Sequence, residues 1–275
     1  MAAEALREVL SDSGLSSGSR GQVIACVGGN ETFVREATLP LMSDDEFRQA
    51  LPFEARKFLS LESVEDPVID GQIIERVEAD GEEDPGSTLV MMAATSGRKR
   101  EFTLEALAGA GIEPTVIDVE PLACLNTMLN LTPTEDQDME RAQALLDLGG
   151  HRANLLISYR GSGLLSRDIW KGTPSDGSAE GNAAYARDIA TRTLETLTFY
   201  RGRYRREVDT IYLTGGSSMK SGLAEELSRV MNREVVPCRP LEGIADQAVG
   251  YDENKDMEAL FVTACGLCRW GDDDV

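Results

Sequence analysis

An α/β fold with a compact α+β unit in its first half is predicted by three features of the sequence. Two apolar runs end in glycine doublets, Ala144-Leu145-Leu146-Asp147-Leu148-Gly149-Gly150 and Thr210-Ile211-Tyr212-Leu213-Thr214-Gly215-Gly216-Ser217-Ser218. A strand that stops in such a turn brings bare backbone close to a phosphate or a purine, because glycine has no Cβ to hold a ligand off. The patterning before the first doublet runs β-β-α-β-β-α-β, and from it onward strand, hairpin, long helix, strand, helix. Finally, 275 residues at 41% hydrophobic content suffice for two soluble globular domains, each with its own core.

Ala2–Ser11 is patterned as a helix and Ser13–Gly21 as a Gly/Ser linker. Gln22–Val27 and Thr32–Leu39 are predicted strands, joined at Gly28-Gly29-Asn30 in a hairpin-like turn. Ser43 is an N-cap followed by Asp44, Asp45 and Glu46, carboxylates that meet the positive end of the helix dipole. That helix is expected to reach Leu59 with a kink or restart at Pro52, which has no N–H to donate. Strands Val68–Val77 and Thr88–Ala94 flank an acidic loop, Glu78–Gly86, read as solvated rather than as a cation site. A helix over Lys99–Ala110 ends at Gly111, before strand Pro114–Val119 and helix Leu122–Leu131. Beyond an acidic linker, Thr132–Glu140, come strands Ala142–Leu148, Ala153–Tyr159 and Gly163–Ile169, with Arg160-Gly161-Ser162 as a turn. A Gly/Ser-rich segment, Gly172–Gly181, leads to a long helix over Ala183–Arg206, where Ile189, Leu194, Leu197 and Tyr200 recur near helical spacing. Strand Thr210–Thr214, helix Leu223–Met231, strand Glu234–Cys238 and a buried apolar helix within Leu260–Cys268 complete the pattern, with no internal repeat legible.

Lys plus Arg number 27 against 48 Asp plus Glu, a formal charge of −21. That balance argues against nucleic acid and against an anionic membrane surface, both of which need clustered basic residues. No apolar run is long enough to span a bilayer, and Met1–Leu10, with Glu4 and Glu8, lacks the pattern of a signal peptide. The expected location is cytoplasmic. Five cysteines fit a reduced compartment better than a disulfide framework. Cys265 and Cys268 have redox-motif spacing, but their apolar surroundings favour small-residue helix packing. The single histidine, His151, argues against a Cys/His zinc site and is expected at the surface.

Several segments occur in a recognisable order. They are Leu39-Pro40 with Ser43-Asp44-Asp45-Glu46 and Phe53-Glu54-Ala55, then Ala110-Gly111-Ile112-Glu113-Pro114 leading into Val116-Ile117-Asp118-Val119-Glu120-Pro121-Leu122-Ala123. Asp147-Leu148-Gly149, Ser166-Arg167-Asp168-Ile169 and Gly215-Gly216-Ser217 running to Ser221-Gly222-Leu223 follow. In that order they resemble the PilM family, cytoplasmic actin-like proteins of the type IV pilus inner-membrane platform, and more loosely the cytoplasmic part of GspL of type II secretion. The resemblance implies actin-like (ribonuclease H-like) domains. An incomplete first domain occupies 1–35, an inserted α+β subdomain 36–120, an interdomain helix and acidic linker 121–141, and a second domain 142–275. The departures are specific. No Asp-x-Gly-x-x-Ser precedes the Gln22 strand, Gly150-His151-Arg152-Ala153-Asn154 stand where the family tends to place hydroxyls, and only the Gly/Ser segment stands where a further subdomain is expected. The first phosphate-binding hairpin and one cleft subdomain are therefore expected to be missing.

What the family's two turns imply is a nucleotide site at Asp147, Gly149, Gly150, Gly215, Gly216 and Ser217. Asp147 would hold a water on phosphate-bound Mg²⁺, while a turn-forming Asp that bonds its own backbone is the competing reading. Tight turns and close packing explain the glycines equally. Arg192 and Glu195 could flank a base, or lie on a solvated helix face. With half the phosphate grip missing, the expectation is a degenerate cleft with no catalytic residue, no metal and no cofactor; Mg·ATP binding is the alternative. The resemblance further implies that the N-terminal tail of a membrane-anchored PilN-like protein docks beside the inserted subdomain. Phe53, Phe58 and Leu59 are the groove candidates, with core burial as the competing reading. The expected role is a cytoplasmic scaffold held at the inner membrane through that partner, with no nucleic acid, no direct membrane insertion and a homo-oligomer left open. An ATP-binding switch and a small-molecule kinase of the same superfamily are the second and third readings.

Overall fold

The structure, a computed structural model, describes residues 2–12, 22–62, 64–78, 85–131, 141–159, 161–172, 178–242 and 255–270. The linkers expected at Ser13–Gly21 and Thr132–Glu140, and most of the acidic loop Glu78–Gly86, lie outside the described residues. The chain divides into two compact units, Met1–Leu122 and Ala123–Val275.

The first unit holds α1 (Ala2–Asp12), β1 (Ile24–Val27), β2 (Phe33–Pro40), α2 (Asp44–Phe58), β3 (Pro67–Val77), β4 (Ser87–Ser96), α3 (Gly97–Gly109), β5 (Val116–Val119) and the start of α4 (Glu120–Asn130). β1 pairs in parallel with β5, Ile24 opposite Val116, while β4 pairs antiparallel with both β2 and β3. The hairpin expected across Gly28-Gly29-Asn30 therefore does not form. A glycine doublet looks the same whether the chain folds back or departs, and here it departs into a different sheet. β5 correspondingly belongs with β1 and not with the sheet of β2, β3 and β4.

Local chemistry fixes the helices of this unit. Ser43 and Glu46 form a reciprocal capping box at the start of α2, with Ser43 N–H donating to Glu46 at 2.8 Å. Those hydrogen bonds hold the Glu46 carboxyl below the ordinary carboxylate range. α2 runs through Pro52 as one helix, in place of the expected kink or restart. Pro52 is exposed, so the helical carbonyl it leaves unpaired faces water. α3 ends at Gly111 (φ +77°), where Gly111 N–H donates to Ala108 O and Ile112 N–H to Leu107 O, both at 2.9 Å, a Schellman cap. The core beneath α2 is made of Phe47, Ala55, Leu59, Val90, Met92 and Ala94.

In the second unit β6 (Arg141–Leu148), β7 (Arg152–Tyr159) and β8 (Ser162–Lys171) form an antiparallel meander. After α5 (Ala179–Tyr204), β9 (Glu207–Thr214) pairs in parallel with the other edge of β6; after α6 (Leu223–Met231), β10 (Glu234–Pro237) pairs in parallel with β9. The order β10-β9-β6-β7-β8 is the one expected of a ribonuclease H-like half. β6 is the central strand: Ala144, Leu145, Leu146 and Leu148 are all buried, so it is apolar on both faces. α5 begins earlier than its apolar spacing predicts, because Ser178 caps it by accepting from Gly181 N–H at 3.0 Å. The buried apolar helix expected at the C-terminal end is a 3₁₀ turn (Lys255–Leu260) followed by a short α7 (Val262–Cys268), in which Val262 and Gly266 are buried. A Cβ on Gly266 would stand 1.7 Å from Ala123 O of α4. Cys268 is exposed and Cys265 half-buried, their thiols free.

A repeat invisible in the sequence emerges. Twice along the chain a helix precedes a parallel strand that ends in a glycine doublet, and its parallel neighbour leads toward a helix: α1, β1, β5, α4 and α5, β9, β10, α7. Gly29 and Gly215, one in each doublet, both have a positive φ, +83° and +84°.

Two alanine substitutions test the packing. Gly266→Ala should cost at least ~2 kcal/mol, since the helices cannot part by one methyl without losing their contact. Gly202→Ala, where an added Cβ meets nothing within 4 Å inside α5, should instead stabilise by ~0.5–1 kcal/mol. Urea unfolding of both variants measures the difference, and equal shifts would refute the close approach.

Candidate functional site

Because β6 and β9 run parallel with Asp147 opposite Thr214, both glycine doublets leave the carboxyl ends of adjacent strands, where open α/β sheets bind ligands. All six sequence-predicted nucleotide residues are brought together here. Gly149 N–H donates to Arg152 O at 2.9 Å, closing the β6–β7 turn. Ser217 Oγ donates to Gly149 O at 3.2 Å, tying the second turn to the first. A Cβ on Gly215 would lie 2.3 Å from Asp147 Oδ1 and 2.7 Å from Leu148 O. Gly215 N–H donates to Ala259 O at 3.3 Å, and Thr214 Oγ1 donates to the same carbonyl. The two turns are thus partly engaged with one another and with the C-terminal 3₁₀ segment.

The glycines divide by what surrounds them. Gly215 is required by packing and by its positive φ, whereas at Gly149 a Cβ would meet only Arg152 O, tightly, at 3.2 Å. Gly150 and Gly216 meet nothing within 4 Å. If a ligand approaches these turns, those two positions are where backbone is open to it.

Tyr185 of α5 stands against this corner. Its ring meets Trp170 edge-to-face at 5.1 Å, and Lys220 Nζ lies 5.4 Å from its centre. Burial pushes the phenol up to about 12; its proximity to Ser217 and the Asp147 charge are smaller influences. The hydroxyl makes no hydrogen bond of good geometry. On the β7–β8 hairpin Arg152 pairs with Asp168 at 3.3 Å, and Asp168 also accepts from Asn154 at 3.1 Å. His151 is exposed, and Arg192 is exposed and paired with Asp188 at 2.9 Å.

In the first unit the groove candidates separate. Phe53 is 67% exposed and Phe58 38%, whereas Leu59 is 4% exposed and packs in the core beneath α2. Phe102 on α3 and Ile74 and Val77 on β3 are also exposed, and the sequence reading missed them. It also missed Glu120 and Lys99. Gly29 N–H donates to Glu120 Oε2 at 3.2 Å and Lys99 Nζ donates to Gly28 O at 2.8 Å, so both grip the turn that leaves β1. Among the described residues no group of acidic, His and Cys side chains is placed to hold a metal ion, and no helix is long and apolar enough to cross a membrane.

No protein family matches the chain, and no curated protein matches it significantly. Among solved structures it aligns with a chain of the PilM–PilN type IV pilus biogenesis complex, over 98% of its own length and 84% of that chain, with a TM-score of 0.69 at 21% identity. The fold is actin-like. Weaker alignments reach a Bacteroides thetaiotaomicron protein of actin-like ATPase fold (TM-score 0.44, 11% identity, 87% and 79% covered) and the ethanolamine utilization protein EutJ of Carboxydothermus hydrogenoformans (0.40, 18%, 64% and 62%). Neither carries an argument about the site.

Alkaline pH provides a test of this packing. Burial raises Cys26 from 9.0 to about 11, with the charges of Glu120 and Asp118 adding to it, and raises Cys238 from 9.0 to about 12. Tyr185 rises from 10.0 to about 12. Each group prefers its neutral form in the folded state, so its contribution is complete below the ordinary value and is lost as pH climbs through the raised one. The melting temperature should hold up to about pH 9 and fall between about 9 and 12. Cys238→Val should flatten that fall, and an unchanged alkaline limb in this variant would contradict the assignment.

Proposed function

We propose that the chain is a PilM-type actin-like scaffold of a type IV pilus, or type II secretion-like, inner-membrane platform. On this reading it is cytoplasmic and is held at the membrane by the N-terminal cytoplasmic tail of a PilN-like partner. The observation that carries the reading is the alignment over nearly the whole chain with the PilM–PilN complex. The exposed rings of Phe53 and Phe58 on α2 supply apolar anchors for a peptide, with Leu59 supporting them from the core. No catalysis is assigned to it.

Isothermal titration with a peptide covering the cytoplasmic tail of a PilN-like protein from the same organism tests the scaffold. Micromolar binding is expected, weakened roughly tenfold by Phe53→Ala. Absence of binding at millimolar peptide, with the fold intact by circular dichroism, would defeat the reading.

A nucleotide switch is the second reading, favoured by the open backbone at Gly150 and Gly216. Titration with Mg·ATP separates the two, with Asp147→Ala as control. The scaffold predicts no heat up to millimolar nucleotide. Micromolar binding that disappears in the variant would replace it with the switch.

A further inference from the structure

α7 packs by one face. Val262 and Gly266 are buried, Thr127 Oγ1 of α4 donates to Val262 O at 2.6 Å, and Gly266 lies against Ala123 O. That packing accounts for the small residue at 266 and leaves the cysteines on either side of it unexplained. Cys265 is half-buried and Cys268 exposed, both as free thiols. Three residues apart on a helix, their Cα atoms lie about 5 Å from one another, within the span that a disulfide bridges. The backbone also tightens from the next residue onward. Arg269 N–H donates to Gly266 O at 3.2 Å and Trp270 N–H to Leu267 O at 3.1 Å, hydrogen bonds of 3₁₀ type. A 3₁₀ turn lines up side chains three residues apart. Extending this one by a single residue brings Cys265 and Cys268 into line.

The thiols are graded from core to surface. Cys238, which follows β10, is 1% exposed, and burial pushes its thiol up to about 12, with Cys265 and Glu258 adding to the rise. Cys265 is raised chiefly by burial and then by the charges of Cys268 and Glu258. A buried thiol held in its protonated form is a poor nucleophile, so first attack on a dissolved oxidant falls to the exposed Cys268. Cys265 needs only to reach a sulfur one helical turn away, where proximity offsets its smaller thiolate fraction.

We propose that Cys268 and Cys265 form a peroxide-reactive dithiol site that closes reversibly to a disulfide at the end of α7. The Cys268 thiolate attacks one oxygen of hydrogen peroxide, the O–O bond breaks, and the departing hydroxide is protonated to water, leaving Cys268 as sulfenic acid. The Cys265 sulfur then attacks the Cys268 sulfur. The S–S bond forms, the S–O bond breaks, and the leaving hydroxide takes the Cys265 proton as a second water. Two thiols have lost two electrons, and one peroxide has gained them. A small dithiol reductant returns both electrons and both protons. A pair that cycles in this way suits a reducing compartment, where lasting structural disulfides are rare.

Exposure of the folded full chain to a modest excess of hydrogen peroxide, followed by alkylation under denaturing conditions and peptide mapping, tests the site. The five alkylated cysteines of the reduced chain should fall to three. The two that vanish should be Cys265 and Cys268, joined within the tryptic peptide Asp256–Arg269, and dithiothreitol should restore all five. Cys265→Ser should halt the reaction at Cys268 sulfenic acid, which dimedone traps. Cys268→Ser, a change at an exposed position, should keep its remaining thiols through the same exposure, with circular dichroism showing both variants folded. Retention of all five thiols in the parent chain overturns the proposal. So does oxidation of Cys268 to sulfinic acid beside a reduced Cys265, a disulfide to Cys238 or Cys124 in place of this one, or a disulfide between two chains.

Discussion

The parallel register of β6 against β9 places Asp147 opposite Thr214 and lets the backbone of Gly215 pass where no Cβ could fit. The arrangement of the strand-end site follows from that pairing. The two turns lie close enough for Ser217 to reach the Gly149 carbonyl, and Tyr185 closes over the same corner from α5. Residues that, read one at a time, suggest a nucleotide cleft also satisfy one another. The same carboxylate that could organise a hydrated cation is the atom Gly215 must avoid. β6, with an antiparallel neighbour on one side and a parallel one on the other, is apolar on both faces, as a central strand covered on both faces must be.

Much of this was legible in the sequence because the signals are local. Ser43 with Glu46 announced a helix start, Gly111 a helix end, and the apolar runs before the glycine doublets announced strands. What the sequence left open was pairing. Val27-Gly28-Gly29 is compatible with a hairpin, and only the arrival of β5, after β2 to β4 and their helices, decides that β1 takes a parallel partner instead. Neighbouring residues such as Phe58 and Leu59 are equally apolar; the extended backbone at the end of α2 turns one outward and the other into the core. The C-terminal apolar stretch was overestimated because small residues such as Gly266 reflect contact with a particular carbonyl of α4 and not general burial. The exposed rings beyond Phe53 and Phe58 left no periodic signal at all.

The structural repeat makes one difference between the units conspicuous. In the second unit the parallel pair β9–β10 is flanked by β6, whereas among the described residues no strand pairs with the outer edge of β1. The amides of β6 are shielded on both sides and exchange with solvent only when the unit opens as a whole. Those of β1 have a partner strand on one side only, and opening them requires no more than the release of a short pair from its surroundings. Two segments that resemble each other in topology thus have very different lifetimes against water. Release of β1 therefore frees a strand end and its glycine doublet without disturbing the buried strands of the second unit.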